Sequence, residues 1–318
     1  MQVTPYYFLK AQFDEAFENR SSIENKFVHE YTKEVETLRN KGTACISGFV
    51  NSSVILSIAQ SVNDFLEKGV NIQPSRNLKG LTVENMSSFF PGYKSKKRLS
   101  EDLIKQGPTA YRDITDNIRI RNPLMNIPEI LDLALDDRLL GIAADYLGVL
   151  PSIVYAKVVK SFANELPSFD TQYFHIDHNA SKMFKSFFYL NDVDEDGGPH
   201  CYVMESHKEE VKKTMWSKSS VLPGRLSDQD IGEIFGTHSI AKLLANAGDL
   251  IIEDTTGWHK GVKPLKRDRT MIVITYGIHS EYSFDYQKNE VEKITKQQLD
   301  LICEEKKRVV DLLEIVER

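Results

Sequence analysis

The strongest constraint on the fold is a series of strand-like segments that begins near residue 151. These segments are rich in β-branched and aromatic side chains, which is typical of β-strands. They lie at residues 152–162, 172–177, 184–190, 200–204, 249–253 and 270–277. Turn residues interrupt the series, most clearly at Asp196-Gly197-Gly198-Pro199. We therefore expect the second half of the chain to form antiparallel strands arranged as a sandwich or barrel.

The first half of the chain has the pattern of amphipathic helices. Apolar residues recur at helical spacing in four segments, at about 21–40, 54–66, 128–135 and 138–147. Helices are also predicted at 227–235, at 239–244 and from about Lys293 to Val316. Residues 1–20 are interpreted as an arm that packs on the body of the domain. Together these segments predict an α+β fold in which helices wrap the outside of a sheet.

Composition narrows the class of protein. The 318 residues are 41% hydrophobic and 27% charged, which is typical of a soluble globular protein. A net charge of −6 gives no electrostatic reason to bind nucleic acid, and the absence of 18 consecutive apolar residues argues against a membrane span. Three scattered cysteines and an N-terminus without a signal-peptide pattern lead us to expect a cytoplasmic protein.

Candidate metal ligands lie in the second half. His175 and Asp177 are two positions apart, so on a strand their side chains point to the same face and can converge on one metal ion. With His259 they would form the set of two histidines and one carboxylate that non-haem Fe(II) oxygenases use. A His-x-Asp pair alone is common, and an ordinary surface strand is the alternative. His200 and His207 are interpreted as ordinary polar histidines.

The order and spacing of several motifs resemble the phytanoyl-CoA dioxygenase family. The motifs are Phe174-His175-x-Asp177, Tyr189-Leu190-Asn191-Asp192-Val193 with Gly198-Pro199, Met204-Glu205-Ser206-His207-Lys208, Gly248-Asp249-Leu250, Trp258-His259-x-Gly261 and Arg269 at the head of an apolar strand. They cover residues 42–280. The resemblance implies a double-stranded β-helix (jelly roll) core at 151–280. The helical N-terminal segment, residues 1–150, would pack on this core and a C-terminal helix would occupy 290–318, in a single domain spanning 1–318.

The resemblance also implies a cofactor and a cosubstrate. His175, Asp177 and His259 would hold Fe(II), with 2-oxoglutarate and O₂ at the remaining positions. Arg269 would pair with the distal carboxylate of 2-oxoglutarate through its planar guanidinium. Arg267, two residues earlier, competes for this role. Arg269 is favoured because the apolar strand starts directly after it, where the family places its arginine.

The sequence does not determine which other residues would contact 2-oxoglutarate. Thr270 or Thr275 could add a hydroxyl contact, and the C1 carboxylate of 2-oxoglutarate needs a hydrogen-bond donor. Gln172, Lys157 and Lys160 are available for the latter, and the sequence does not choose among them.

The expected reaction follows from the resemblance. Halogenating relatives lack the carboxylate ligand that Asp177 supplies, so hydroxylation of an unactivated C–H bond of a small molecule is favoured, with succinate and CO₂ as co-products. The alternatives are desaturation, epimerisation or cyclisation at the same iron site, and a cupin-type metal-binding protein without 2-oxoglutarate.

Lysines surround the expected mouth of the site. They are Lys182, Lys185, Lys260, Lys263 and Lys266, and we expect them to be solvated. If several point inward, the substrate is anionic. Substrate identity and oligomeric state are left open by the sequence.

Overall fold

The computed structural model describes residues 5–21, 27, 29–69, 72–74, 108–112, 115–168, 170–177, 180–212, 225–278 and 291–317. The helices are α1 (Pro5–Arg20), α2 (Thr32–Lys41), α3 (Ser52–Glu67), α4 (Pro123–Asn126), α5 (Pro128–Ala134), α6 (Asp137–Leu147), α7 (Asp228–Phe235), α8 (Lys296–Leu301) and α9 (Glu304–Lys307). The strands are β1 (Thr43–Ile46), β2 (Ile72–Pro74), β3 (Asn117–Ile120), β4 (Ser152–Ser161), β5 (Phe184–Tyr189), β6 (His200–Val203), β7 (Ile240–Leu243), β8 (Leu250–Glu253), β9 (His259–Gly261), β10 (Arg269–Gly277), β11 (Lys293–Thr295) and β12 (Glu314–Val316).

Two antiparallel sheets position the site. The larger has the strand order β1-β8-β5-β10-β4-β3-β2, with β10 hydrogen-bonded to both β4 and β5. The smaller has the order β7-β6-β9. The ring of His200 in β6 lies 4.8 Å from that of Phe187 in β5, measured between centroids, so the two sheets face each other here.

Helices cover the other face of the larger sheet. Successive strand residues point to opposite faces. Phe188 and Ile272 therefore join a buried cluster with side chains of α2, α3, α5 and α6, whereas Phe187 and Val273 face the smaller sheet. Burial on both faces explains why residues 271–274 of β10 are continuously apolar rather than alternating. The predicted combination of outer helices and an antiparallel sheet is confirmed.

Local sequence signals set several helix ends. The Asn51 side chain accepts a hydrogen bond from the Ser53 N–H at 2.9 Å and caps α3. Gly42 and Gly148 end α2 and α6 with a left-handed φ of 87°, a conformation that glycine adopts without a Cβ clash.

Several boundaries differ from the sequence prediction. The N-terminal segment is helix α1 rather than an arm, and α2 begins at Thr32, with residues 22–26 and 28 outside the described residues. Residues 240–243 form strand β7, because pairing with β6 satisfies backbone groups that a helix would otherwise satisfy locally. Most of 70–127 also lies outside the described residues.

The prediction of a C-terminal helix at 290–318 is wrong. Short helices α8 and α9 are separated by extended backbone at Ile302 and Cys303, and β11 pairs with β12 in parallel. Because this pairing joins the two ends of the segment, the chain must fold back, and one continuous helix cannot do so.

Among the described helices, none is both long and apolar enough to cross a membrane.

Candidate metal centre

Three side chains singled out in the sequence come together between the two sheets. Ligand atoms of His175, Asp177 and His259 all lie within 4.8 Å of one another. His175 and His259 exchange backbone N–H···O=C bonds of 2.9 Å across an isolated bridge, and the Asp177 N–H donates to the Thr255 carbonyl at 2.9 Å. The expected strand at 172–177 is reduced to single bridges at Phe174 and His175. These few backbone bonds nevertheless hold the two distant segments together.

Backbone carbonyls orient both imidazoles. Nδ1 of His175 donates to the Tyr173 carbonyl at 3.0 Å, and Nδ1 of His259 donates to the Gly257 carbonyl at 2.9 Å. A neutral imidazole carries one proton, so both Nε2 atoms keep a lone pair. Burial lowers the pKa of His175 well below its ordinary value and that of His259 to about 4. Both histidines are therefore neutral and suited to bind a metal.

The carboxylate is ionised and paired. Lys185 Nζ donates to Asp177 Oδ2 at 2.6 Å, with side chains 6% and 22% exposed. Burial alone would raise the pKa of Asp177, but the positive charge and the hydrogen bond of Lys185 outweigh burial and hold that pKa well below its usual range. One negative charge and two neutral nitrogens are a suitable donor set for a divalent transition metal.

The expectation that the lysines are solvated is wrong for two of them. Lys185 is 5% exposed because its side chain points from β5 toward the smaller sheet, and Lys260 is 8% exposed and pairs with Asp228. Lys266 is exposed, as expected, and pairs with Asp196.

A cavity of about 120 Å³ opens beside the three side chains, and Arg269 lines it. Arg269 is 4% exposed. Its Nη1 donates to the Gly198 carbonyl and its Nη2 to Ser161 Oγ at 3.3 Å, whereas its buried Nε has no hydrogen-bond partner among the described residues. Burial lowers the pKa of Arg269, but a guanidinium stays protonated in proteins. Arg267 instead lies at the surface and pairs with Asp194.

The other predicted cosubstrate residues divide into two groups. Gln172 and Lys157 line the cavity. Thr270 does not, since it follows Arg269 on β10 and points to the opposite face, and its N–H donates to the Asn191 side chain at 2.9 Å. Lys160 likewise lies off the cavity face of β4. The structure thus brings Arg269, Gln172 and Lys157 to the site, but not Thr270.

Sequence reasoning missed three polar residues near the cavity. Arg119 of β3 and His200 of β6 line it, and Glu253 of β8 lies 3.0 Å from the His200 ring. Strand alternation places Lys185, which the sequence analysis expected to be solvated, on the same face as Phe187 and could have predicted its burial. No local signal points to Arg119 or pairs His200 with Glu253.

A larger cavity, of about 390 Å³, holds none of the predicted site residues. Two of its lysines are engaged by the protein itself: Lys182 donates to the Tyr146 carbonyl at 2.5 Å and Lys212 to the Ser181 carbonyl at 2.7 Å. We therefore assign the site to the smaller cavity.

No family model matches the chain, and no curated protein matches it either. Among solved structures, the epimerase SnoN in complex with Fe3+, alpha ketoglutarate and nogalamycin RO has a TM-score of 0.50 and 13% identity, covering 77% of this chain and 82% of that chain. The carbocyclase SnoK has a TM-score of 0.49 and 14% identity, covering 81% and 85%. HygX from Streptomyces hygroscopicus with nickel and 2-oxoglutarate bound has a TM-score of 0.49 and 16% identity, covering 82% and 90%.

At this level of identity, the likeness to SnoN shows a shared fold. None of these names includes the phytanoyl-CoA dioxygenase family, so that resemblance stays a prediction from the motifs.

Proposed function

We propose that the protein is an Fe(II)- and 2-oxoglutarate-dependent oxygenase built on a double-stranded β-helix. The observation that carries this proposal is the convergence of His175, Asp177 and His259 on one cavity that also holds the buried cation Arg269. Two neutral imidazoles and one carboxylate would hold a divalent metal ion and leave coordination positions open for the cosubstrate and O₂. The pair of facing sheets and the fold shared with SnoN support the same proposal.

Arg269 is the proposed partner of the distal carboxylate of 2-oxoglutarate. Its guanidinium is planar and buried, and its Nε lacks a partner among the described residues. Charge-assisted bonds to a carboxylate are strong in such a site because little water competes. Lys157 and Gln172, on the cavity wall, are the candidate donors to the C1 carboxylate.

With Fe(II), 2-oxoglutarate and O₂ bound, the site would supply the oxidation that converts a C–H bond to C–OH, releasing succinate and CO₂. The chain's own residues hold the ligand atoms in place through backbone hydrogen bonds and keep Asp177 ionised through Lys185. Hydroxylation is proposed because the carboxylate ligand is retained. Epimerisation is the second candidate outcome, since SnoN, named an epimerase, shares the fold.

The substrate is proposed to be a small molecule with an acidic group. Arg119, Lys157, Lys185 and Arg269 line the cavity, and Asp177 is the one carboxylate among its described lining residues. The positive charges of these four side chains and of a divalent metal ion together exceed the negative charges of Asp177 and of dianionic 2-oxoglutarate. A substrate carboxylate or phosphate would compensate the excess.

Anaerobic addition of Fe(II) and 2-oxoglutarate tests the proposal. We expect the weak visible absorption band of the iron–2-oxoglutarate chelate with the wild-type protein and its loss in His259→Ala. His238→Ala, which changes an exposed histidine, is the matched control and should keep the band. A protein that binds metal but never gives the band would instead support the cupin-type alternative.

A further inference from the structure

Arg119 extends from β3 on the face of the larger sheet that borders the metal-site cavity. In the register of this sheet, Arg119 is opposite Val159 of β4, and Val159 is opposite Met271 of β10. Residues paired directly across antiparallel strands share one face of the sheet, and all three side chains line the cavity. The strand register and the cavity lining therefore agree on the direction of the Arg119 side chain.

Arg119 differs from most described arginines because it lacks a carboxylate partner. Four others each pair with an aspartate: Arg112, Arg138, Arg225 and Arg267. Among the described residues, no carboxylate pairs with Arg119, and its buried Nε has no hydrogen-bond partner. The side chain is half-buried. A half-buried cation without a counter-charge destabilises the free protein, which indicates a role in binding a ligand.

Arg119 lies beyond the part of the cavity that the cosubstrate would fill. The metal ligands lie near β5, where Lys185 bonds to Asp177 at 2.6 Å, and the proposed anchor Arg269 is on β10. Strand β4 separates β10 from β3. Arg269 pairs with Ser161 of β4, which pairs with β3 two residues before Arg119, so the backbones of the two arginines are about 12 Å apart. The space beside Arg119 is therefore left for the substrate.

The surroundings of Arg119 are polar and positively charged. Asn117 is two positions earlier on the same face of β3, and Lys157 is diagonally opposite on β4; both line the cavity. Diagonal neighbours on one face of a sheet lie about 7–8 Å apart, so one anionic group can contact both Arg119 and Lys157. The carboxylate among the described lining residues, Asp177, is held by Lys185. No other described lining residue offers Arg119 a negative charge.

We propose that Arg119 binds the acidic group of the substrate and is a specificity-determining residue. This inference rests on the proposed function and deepens it. The planar fork of a guanidinium matches a carboxylate or a phosphate group, whereas a neutral analogue of the substrate would leave Arg119 unpaired. The substrate would then place its acidic group near β3 and its reacting carbon near the metal, at different ends of the molecule.

Calorimetry on protein loaded with Mn(II) and saturated with 2-oxoglutarate tests this inference, because no turnover occurs in that state. The probes are butyrate and methyl phosphate, which represent the two kinds of acidic group, with neutral butyramide for comparison. We expect saturable binding of at least one acidic probe and none of butyramide. Arg119→Gln should raise the dissociation constant of that probe about tenfold or more and leave 2-oxoglutarate affinity unchanged.

Two further variants and a stability measurement complete the design. Arg119→Lys keeps the charge without the planar fork and should bind the probe with intermediate affinity. Arg121→Gln is the matched control, since Arg121 is exposed, bonds to Gln73 at 2.9 Å and is not among the described lining residues of the cavity. Because Arg119 has no described ion pair to lose, Arg119→Gln should unfold at the wild-type temperature or above it.

The outcomes are distinguishable. If wild-type, metal-loaded protein does not bind 2-oxoglutarate, the proposed function fails and this inference fails with it. If wild type binds 2-oxoglutarate but neither acidic probe, or if Arg119→Gln binds the probes as wild type does, the inference alone is overturned. An equal loss of 2-oxoglutarate affinity in Arg119→Gln would make Arg119 a cosubstrate-binding residue instead. A large fall in its unfolding temperature, or failure to fold, would show a structural role.

Discussion

Substitution of Arg269 by alanine should abolish tight 2-oxoglutarate binding. The guanidinium is buried at the cavity wall. The free energy cost of removing it from water is therefore met when the protein folds, not when 2-oxoglutarate binds. A bidentate contact to a carboxylate comprises two charge-assisted hydrogen bonds, each contributing about 1.5–3 kcal/mol. Loss of both amounts to about 3–6 kcal/mol, so the dissociation constant should rise by roughly two to four orders of magnitude.

Arg269 also has a structural role that must be separated from binding. Its Nη atoms donate to the Gly198 carbonyl and to Ser161 Oγ, and alanine leaves both acceptors unpaired. Arg269→Lys keeps the charge but not the planar fork, so it should fold more readily and weaken 2-oxoglutarate binding by about tenfold. Thermal unfolding of each variant reports on the structural cost.

Calorimetry with the Mn(II)-loaded protein measures the effect, with Arg267→Ala as the matched control. Arg267 pairs with Asp194 at the surface, where an ion pair contributes less than about 1 kcal/mol, so its removal should leave 2-oxoglutarate affinity unchanged. A large loss of affinity in Arg267→Ala, with none in a folded Arg269→Lys or Arg269→Ala variant, would refute the assignment of the anchor.

Three further predictions concern charge and backbone. Lys185→Met removes the cation that keeps Asp177 ionised, so Mn(II) binding should weaken more at pH 6 than at pH 8, as followed by calorimetry; an unchanged pH profile would contradict the role of this pair. Burial raises the pKa of Glu292 to about 8, so its contribution to stability is present below the ordinary value of about 4.5 and is lost as the pH rises through 8. Relative to wild type, Glu292→Gln should therefore gain about 1.4 kcal/mol of unfolding free energy per pH unit between pH 5 and 7, and a constant difference in urea titrations would disprove this. Gly248→Ala should destabilise the fold by about 1–3 kcal/mol in the same titrations, because φ is +91° and a Cβ would lie 2.6 Å from a backbone carbonyl oxygen; a neutral effect would count against this turn geometry.

Much of the fold follows from local signals in the sequence. Asn51, Gly42 and Gly148 mark helix ends through caps and left-handed backbone, which depend on a few neighbouring residues. Strands β4, β5, β8 and β10 of the larger sheet are recognisable from their β-branched and aromatic residues, whereas β2 and β3 were not predicted. The tail and β7 were mispredicted, because their conformation is decided by pairing with segments distant in sequence, which a local pattern does not contain.

The sequence by itself also selected His175, Asp177, His259 and Arg269 as candidates, through the order of their motifs. The tertiary structure decided what surrounds them. It placed Lys185 against Asp177 and His200 against Glu253, and it turned Thr270 away from the cavity. The physical reason is that burial and charge pairing depend on which strands face each other. The protonation state of a buried side chain, and whether its polar atoms find hydrogen-bond partners, depend on how the two sheets pack around the cavity.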